Sequence, residues 1–286
     1  MATATRLSRR LRDAGWDCRL RSFANLRELA GWATSAEPDF ARLVAIGGDA
    51  TLSVAARLAV RSGTPFVPVP NGFGNVFARV FGHPARAREV VELLSTGQIR
   101  RVDVGVVGDE LFLSHRSYGV LEQIQAEAER GRRQPRSRML RHLWYYEVAW
   151  RLFFTLPVPQ LGVEVDGARV SDDAMLVTVA NVETYRGFLS LTPSASPIDG
   201  LFDVFVVPRT SKLGLGARLL RLVLRAPTRW RGVKLYRGRR VVVTVDGRRD
   251  ELKTWRRALP LLVPPGSLEA LTRRTIEEDA PVERAG

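Results

Sequence analysis

The chain has 286 residues, 45% of them hydrophobic and 26% charged, which suits two domains with separate cores and excludes a disordered chain. No uncharged apolar run reaches the roughly 18 residues of a membrane span, and no secretory signal pattern is seen, so the expectation is a soluble globular protein. The single Cys18 excludes an internal disulfide framework and a cysteine-rich zinc site, and points to a reducing compartment, the cytoplasm by default. The net charge of +14 comes from 44 basic residues, of which 41 are Arg and three Lys. Nucleotide bias of the genome explains that ratio as readily as a polyanionic partner, so charge alone assigns none.

In chain order, residues 5–15 and 25–34 carry helical spacing, with "CRLRSF" between them as a short strand, and "RLVAI" reads as a buried strand ending in glycines. Leu52, Ala55, Ala56 and Ala59 then recur at helical intervals. "GTPFVPVP" gives another strand into a second glycine turn, and a helix follows around 85–95. This β–α alternation predicts a mostly parallel sheet whose ligand lies beyond the carboxyl ends of the strands, where both glycine turns fall. From about residue 100 the pattern becomes hairpin-like: "RRVDVGVVGDELFLSH", then "LGVEVDG", "AMLVTVAN", "LFDVFVVP", "RRVVVTVDG" and "LPLLVPP", interrupted by helices around 138–155 and 211–225. The expected division is an α/β domain over 1–100, a β-rich domain over 101–273 whose last strand is free to return to the first domain, and a frayed polar tail over 274–286.

The first glycine turn is Gly47-Gly48-Asp49. Glycines there let backbone N–H groups approach a phosphate, helped by the helix N-terminus. Asp49 would repel a phosphate, so it needs a cation, a substrate hydroxyl, or the helix beginning near Thr51 to cap. The second turn is "PNGFGNVFAR"; with Phe77 in the third glycine position it fails as a dinucleotide-binding pattern, and no GxxxxGK[ST] loop exists.

Two such turns about 25 residues apart resemble those of the diacylglycerol kinase catalytic-domain family of lipid kinases, whose motifs are GGDGT and PxGTxND. The resemblance continues through "VDVGVV" with "LFLSHRSYG", through "VTVANVETYRGFLSLTPSASPIDGLFDVFVV", and into "LPLLVPPGSLEAL". It implies an N-terminal three-layer α/β nucleotide-binding domain and a C-terminal β-sandwich-like domain, with ATP and a lipid hydroxyl meeting between them. By position, Gly47, Gly48, Asp49 and Thr51 match the first motif, and Pro70, Gly72, Phe73, Gly74, Asn75, Ala78 and Arg79 fall on the second; these would hold the ATP phosphates. Asp199 matches an aspartate beside a magnesium site, with Ser196 and Leu201 contributing backbone oxygens. The general base of the resemblance lies in a late Asp-Gly-Glu, represented here by Asp246-Gly247-Arg248, while spacing from "PPGSL" favours Asp250-Glu251; Asp246-Gly247 also reads simply as a hairpin turn.

Several positions depart from the resemblance. The opening strand and its Asn-Pro-x-Ser-Gly loop are not found, Ala50 replaces a glycine, Phe73 a hydroxyl residue and Val76 an aspartate, and Ser114 and Val120-Leu121 replace an Asn and an aromatic–Asp pair. These changes leave a catalytically degenerate binding protein as the alternative to an active kinase, and a basic nucleic-acid-binding protein as a third reading without a supporting motif. His83, His115 and His142 lack partners at metal spacing. Residues 138–159, with Arg138, Arg141, Arg151, Trp144, Tyr145, Trp150, Phe153 and Phe154, and the helix carrying Arg218, Arg221 and Arg225 suit peripheral docking on an anionic membrane. The expected cofactors are ATP and Mg2+. The expected partners are a lipid substrate and that membrane surface rather than a specific nucleic acid, with a homodimer left open.

Overall fold

A computed structural model of the chain describes residues 2–72, 74–120, 122–123, 159–183, 185–186, 189–211, 233–267 and 283–284, and single positions at 144, 147, 151, 155 and 214. The expected helices over 138–155 and 211–225, and Phe73, lie outside these residues apart from those single positions.

The first half is built on two parallel strands, β1 (Leu43–Gly47) and β2 (Phe66–Pro70), in register from Leu43↔Phe66 to Gly47↔Pro70. Between them runs α3 (Asp49–Ser62), which buries Leu52, Ala55, Ala56 and Ala59 and stops at Gly63, a left-handed residue with φ 71°. On one face of the sheet lie α1 (Ala2–Asp13) and α5 (Ala87–Thr96), whose Leu7, Leu11, Leu93 and Leu94 meet Val67 and Val69. On the other lie α3 and, packed against it, α2 (Leu26–Ser35), whose first turn is capped by the Asn25 side chain accepting from Glu28 N. A short α4 (Val76–Val80) follows β2. The result is three layers, as expected.

The second half is mostly antiparallel. β3 (Gln98–Val107) turns at Gly108 into β4 (Glu110–Phe112), then β5 (His115–Gly119), β6 (Leu161–Val165), β7 (Ala168–Ala180), the pair β8 (Tyr185–Arg186) and β9 (Leu189–Ser190), β10 (Phe202–Pro208), β11 (Lys234–Gly238), β12 (Arg240–Val245), β13 (Arg248–Val263) and β14 (Glu283–Arg284). One hydrogen-bonded ladder runs β1-β2-β13-β12-β6-β7-β10-β11-β14, with β3 also on β13 and β5 on β7. Alternate residues Val163, Val165, Val177, Val179, Val204, Val206, Val241 and Val243 fill a second core.

β13 joins the two halves. Its first part pairs antiparallel with β12, its end meets β2 in parallel at Leu261↔Phe66, and β3 runs beside most of its 16 residues. Only its last third, "LPLLV", is legible as a strand; the charged stretch before it is held by β12 and β3 on its two sides, so tertiary pairing overrides a polar sequence. Between Trp255 and Leu259 the register shifts, and Arg257, at φ 49°, donates its N–H to Asp103 Oδ1 at 2.6 Å. Asp103 Oδ2 takes Gly200 N at 2.7 Å, and Asn181 Nδ2 reaches both Asp103 O and Leu113 O at 2.9 Å. Buried polar side chains thus lock the junction.

Two expectations change. "CRLRSF" forms no strand, because no neighbouring strand pairs with it among the described residues. In the tail, Glu283 and Arg284 are not frayed but pair in parallel with Tyr236 and Arg237.

His83 is 6% exposed, and its Nε2 lies 2.8 Å from Leu262 O, tying the segment after α4 to β13. Burial pushes its pKa down from 6.5 to about 4, so between those values the unfolded chain binds more protons and stability falls as pH drops. Urea unfolding across that window should show a loss on the order of 3 kcal/mol attributable to His83, and His83→Gln should abolish that component.

Candidate functional site

The two glycine turns meet backbone to backbone at the carboxyl ends of β1 and β2. A Cβ placed on Gly72 would lie 2.5 Å from Gly48 Cα, and one on Gly47 would strike the Thr51 side chain at 2.5 Å, so neither position accepts a larger residue without displacement. Asn71 N donates to Gly47 O at 2.9 Å, which ties the turns together. Asn75, left-handed at φ 51°, closes the second turn: its Oδ1 accepts from Gly72 N and its Nδ2 donates to Gly72 O, both at 2.8 Å.

Asp49 does not cap its own helix. Gly48 is the N-cap of α3 and supplies no side chain, and the Asp49 carboxylate instead reaches across to the start of α4, accepting from Phe77 N at 3.3 Å. Burial pushes the Asp49 carboxyl above the ordinary range, opposed by the N–H groups of Val76, Phe77 and Asn75. Its Oδ2 lies 3.0 Å from where a Cβ on Gly74 would sit. Gly47, Gly48, Asp49, Thr51, Gly72, Gly74 and Asn75 therefore form one constellation at two adjoining helix starts.

A second constellation sits at the junction. Asp199 accepts from Leu201 N at 2.9 Å and faces Arg237 Nη2 at 3.4 Å, and its pKa is pushed up to about 6 by burial, with Asp203 and Asp103 adding repulsion. Asp203, 1% exposed, takes Arg237 Nε at 2.7 Å and Ser194 Oγ at 2.7 Å. Ser196 is buried beside it in sequence. A half-buried carboxylate among oxygen-rich loop residues suits a hard cation, although the described residues hold no group of three acidic, His or Cys side chains at ligand spacing.

The third constellation surrounds Asp250, which lies in β13 opposite Val243, with Arg248 Nη2 at 3.4 Å. Burial and then the Asp250 charge push the fully buried Tyr118 phenol above its ordinary value. Glu122 is also pushed up, first by burial, and feels Arg116, Arg248 and Asp250. A cleft of about 570 Å³ opens there between Arg116, Arg248, Asp250 and Lys253. Asp246 is placed apart, at the tip of the β12–β13 hairpin: Asp246 and Gly247 have φ of 46° and 88°, as a two-residue turn of the primed kind requires, and the carboxylate lies 3.4 Å from Gln160 N. Sequence reasoning passed over Asp103, Asn181, Tyr118, Glu122 and Arg237. A lone Asp inside the apolar "VDVGVV" was the available signal for the first.

A strand–turn–helix pair of this kind with a carboxylate between the turns is joined through a long strand to an antiparallel sandwich, a two-domain α/β and β-sandwich architecture. Residues 2–107 match the diacylglycerol kinase catalytic domain, and residues 118–256 match the YegS C-terminal NAD kinase beta sandwich-like domain. The chain belongs to the diacylglycerol kinase catalytic-domain family. It is 27% identical to a probable lipid kinase YegS-like protein of Pseudomonas fluorescens, over 95% of this chain and 89% of that one, and 27% identical to a diacylglycerol kinase of Bacillus subtilis over 60% of this chain and 57% of that one. In fold it is similar to a putative diacylglycerol kinase from Bacillus anthracis, with a TM-score of 0.68 at 18% identity over 93% and 92% of the two chains.

Because the Asp49 pKa is raised on folding, the native state holds that proton longer than the unfolded chain, and stability contributed at Asp49 falls as pH rises above the ordinary aspartate range near ~3.9. Asp49→Asn should remove this component in urea unfolding compared with the parent at each pH. Asp49→Ala, which leaves the α4 N–H groups without their acceptor, should instead lose about 1–3 kcal/mol.

Proposed function

We propose that the protein is an ATP-dependent lipid kinase that transfers the γ-phosphoryl group to a lipid hydroxyl at a membrane surface. The observation that carries this reading is the pair of glycine turns packed against one another where α3 and α4 begin, with the half-buried Asp49 between them. The family membership and the names of its relatives support the same direction.

In this mechanism the turns of Gly47, Gly48 and Thr51 and of Gly72 and Gly74 cradle the phosphates, with the small Gly72 allowing close backbone approach and the positive ends of the helices facing the charge. The lipid hydroxyl oxygen attacks the γ-phosphorus in line, the bond to the β–γ bridging oxygen breaks, and ADP leaves. Asp250 accepts the hydroxyl proton, with Arg116 and Arg248 beside it holding negative charge in the cleft. Magnesium, when bound, supplies charge neutralisation of the phosphates, and Asp199 with the Ser196 and Leu201 backbone oxygens would hold a cation. No helix among the described residues is long and apolar enough to cross a membrane. In this reading the lipid is met at the membrane surface. Residues 138–159 and 211–225 are the proposed contact, by their aromatic and arginine content.

One observation favours the second reading, a nucleotide- or lipid-binding protein without turnover. The Gly72 N–H is already bonded to Asn75 Oδ1, and Asp49 already occupies N–H groups of α4, so fewer donors remain for phosphate. Each charged hydrogen bond lost is worth roughly 1.5–3 kcal/mol, enough to move ATP affinity from micromolar toward millimolar.

Incubating the chain with Mg-ATP labelled in the γ-phosphate and mixed micelles of diacylglycerol or a sphingoid base should move label into the lipid phase. Asp250→Asn should lower that rate by about 10²–10⁴ with little change in unfolding. Calorimetric binding of Mg-ATP with no labelled lipid from either substrate would establish the second reading instead.

A further inference from the structure

Up to its register shift, β13 keeps its charges in pairs. Arg248 faces Asp250, Arg249 faces Glu164, and Lys253 shares Glu251 with Arg240 of β12. At the shift the pattern stops. Trp255, Arg256 and Arg257 are three consecutive exposed residues, Trp255 to 51%, where a regular strand on a core would turn at least one of them inward. Neither the Arg256 nor the Arg257 guanidinium has a carboxylate partner among the described residues.

Both arginines are nevertheless fixed in place. Arg257 holds φ 49°, a conformation that persists in a non-glycine residue only where its surroundings impose it, and the imposing group is Asp103, 1% exposed, which accepts the Arg257 N–H at 2.6 Å. Arg256 is held by its stem. A Cβ on Gly200 would meet Arg256 Nε at 2.5 Å and Cδ at 2.8 Å, so the side chain lies along Gly200 and has less rotamer freedom to lose when its head binds. The carboxylates of the junction are engaged elsewhere: Asp103 by two main-chain N–H groups, Asp203 by Arg237 and Ser194, and Asp199 facing Arg237.

Charge and shape identify what fits. Two guanidinium groups on adjacent residues concentrate two positive charges at one place, with forked donors that match phosphate oxygens. A phosphomonoester carries about −1.5 to −2 charge near neutral pH and three strong acceptor oxygens, whereas a phosphodiester carries a single charge. The dianion is the better match, and nucleic acid offers diesters along its length. The exposed indole of Trp255 gains nothing from a free ion in water but suits the boundary between headgroups and acyl chains.

We infer that the bulge at 255–257 is a binding site for the phosphomonoester headgroup of a phosphorylated lipid, held by Arg256 and Arg257 with the Trp255 ring at the lipid boundary. Arg239, also exposed, stands at its edge, since its carbonyl accepts from Thr254 N at 3.2 Å. A phosphorylated lipid is the product class of the reaction proposed above, so the lipid body of the ligand rests on that reading, while the phosphate site rests on the bulge alone. Such a site keeps the protein on membranes that already contain its product.

The full chain is titrated, without nucleotide, against phosphatidylcholine vesicles containing phosphatidic acid or, at matched zeta potential, phosphatidylglycerol, with bromine on the acyl chains near the headgroup. The Trp255 signal is the emission quenched in the parent and not in Trp255→Phe. Phosphatidic acid should bind about tenfold more tightly than phosphatidylglycerol, and Arg256→Gln with Arg257→Asn should remove that preference. Asparagine tolerates the left-handed conformation at 257, so thermal unfolding of the double variant should match the parent. Arg9→Gln with Arg10→Gln, which takes the same charge from exposed positions of α1, should leave the preference intact. Equal binding of the two lipids, or equal loss in the two double variants, overturns the inference by reducing it to net charge. So does half-displacement by inorganic phosphate below about 1 mM, which would make the ligand a free ion, or tighter binding of duplex DNA, which would make it a diester polymer. No turnover is read, so a chain inactive toward diacylglycerol and sphingoid base can still show the lipid preference, and an active one can lack it.

Discussion

The close approach of Gly48 and Gly72 is the constraint on which the site depends. Two parallel strands end side by side, and for both to launch a helix from the same level their turns must pass within backbone contact, which no side chain permits. That contact points the starts of α3 and α4 into one space and concentrates their N–H groups there. Two helix starts so close together carry mutually unfavourable partial positive charge, and an anion between them relieves it. Asp49 is that anion in this chain. Its carboxyl is drawn up by burial and down by the α4 N–H groups, and the balance lets a half-buried acid persist without a basic partner.

The second half is held to the first by β13, by Asp103 and by one apolar core in which Leu52, Ala56, Phe66 and Phe77 meet Val102, Val104, Leu113 and Leu261. A single strand that pairs with β12 at one end and β2 at the other makes the two sheets one ladder, so the halves cannot separate without breaking main-chain bonds. The register break at Trp255–Leu259 is what lets that strand serve both, and Asp103 stabilises it by accepting the N–H of Arg257 at the bulge. Through Gly200 N the same carboxylate fixes the turn that carries Asp199, and through Asn181 the chain of bonds extends to Leu113, whose own N–H meets Ser53 Oγ in the first turns of α3. The phosphate turns and the Asp199 loop are thereby connected through buried hydrogen bonds.

What could be read in the sequence was local. β1 and β2 announce themselves by apolar runs ending in glycine, α3 by its 3.6-residue period, and the Asp246-Gly247 turn by the dipeptide itself. The partner of Asp49 could not be read, since the N–H groups it accepts belong to residues 26 to 28 positions further on, and local rules supply only its own helix to cap. The polar half of β13 escaped for a related reason: Arg248, Arg249, Glu251 and Lys253 show no apolar alternation, but each stands on an exposed face beside an opposite charge, including Arg249 with Glu164 and Lys253 with Glu251, both at 3.2 Å. "CRLRSF" has a strand's composition but no strand among the described residues pairs with it, and a strand is a property of a neighbourhood rather than of six residues.

The position of Asp250 follows from the length of the β12–β13 hairpin. A two-residue turn at Asp246-Gly247 puts Val245 opposite Arg248 and Val243 opposite Asp250, and the two-residue period of the strand then decides which of the following side chains share a face. Arg248 and Asp250 fall on one face, toward Tyr118 and Glu122, while Arg249 and Glu251 fall on the other, toward Glu164 and Arg240. A carboxylate directly after the turn would stand at the place of Arg248, at the rim, where water screens it; two residues further in, Asp250 is 18% exposed and close enough to raise Tyr118 and Glu122. Moving the acid inward along the same face keeps its direction and brings it against the buried Tyr118. Arginine at the vacated position supplies compensating charge at 3.4 Å. The hairpin therefore presents an acid and a base two residues apart on each face, and its short turn sets which pair stands beside Tyr118.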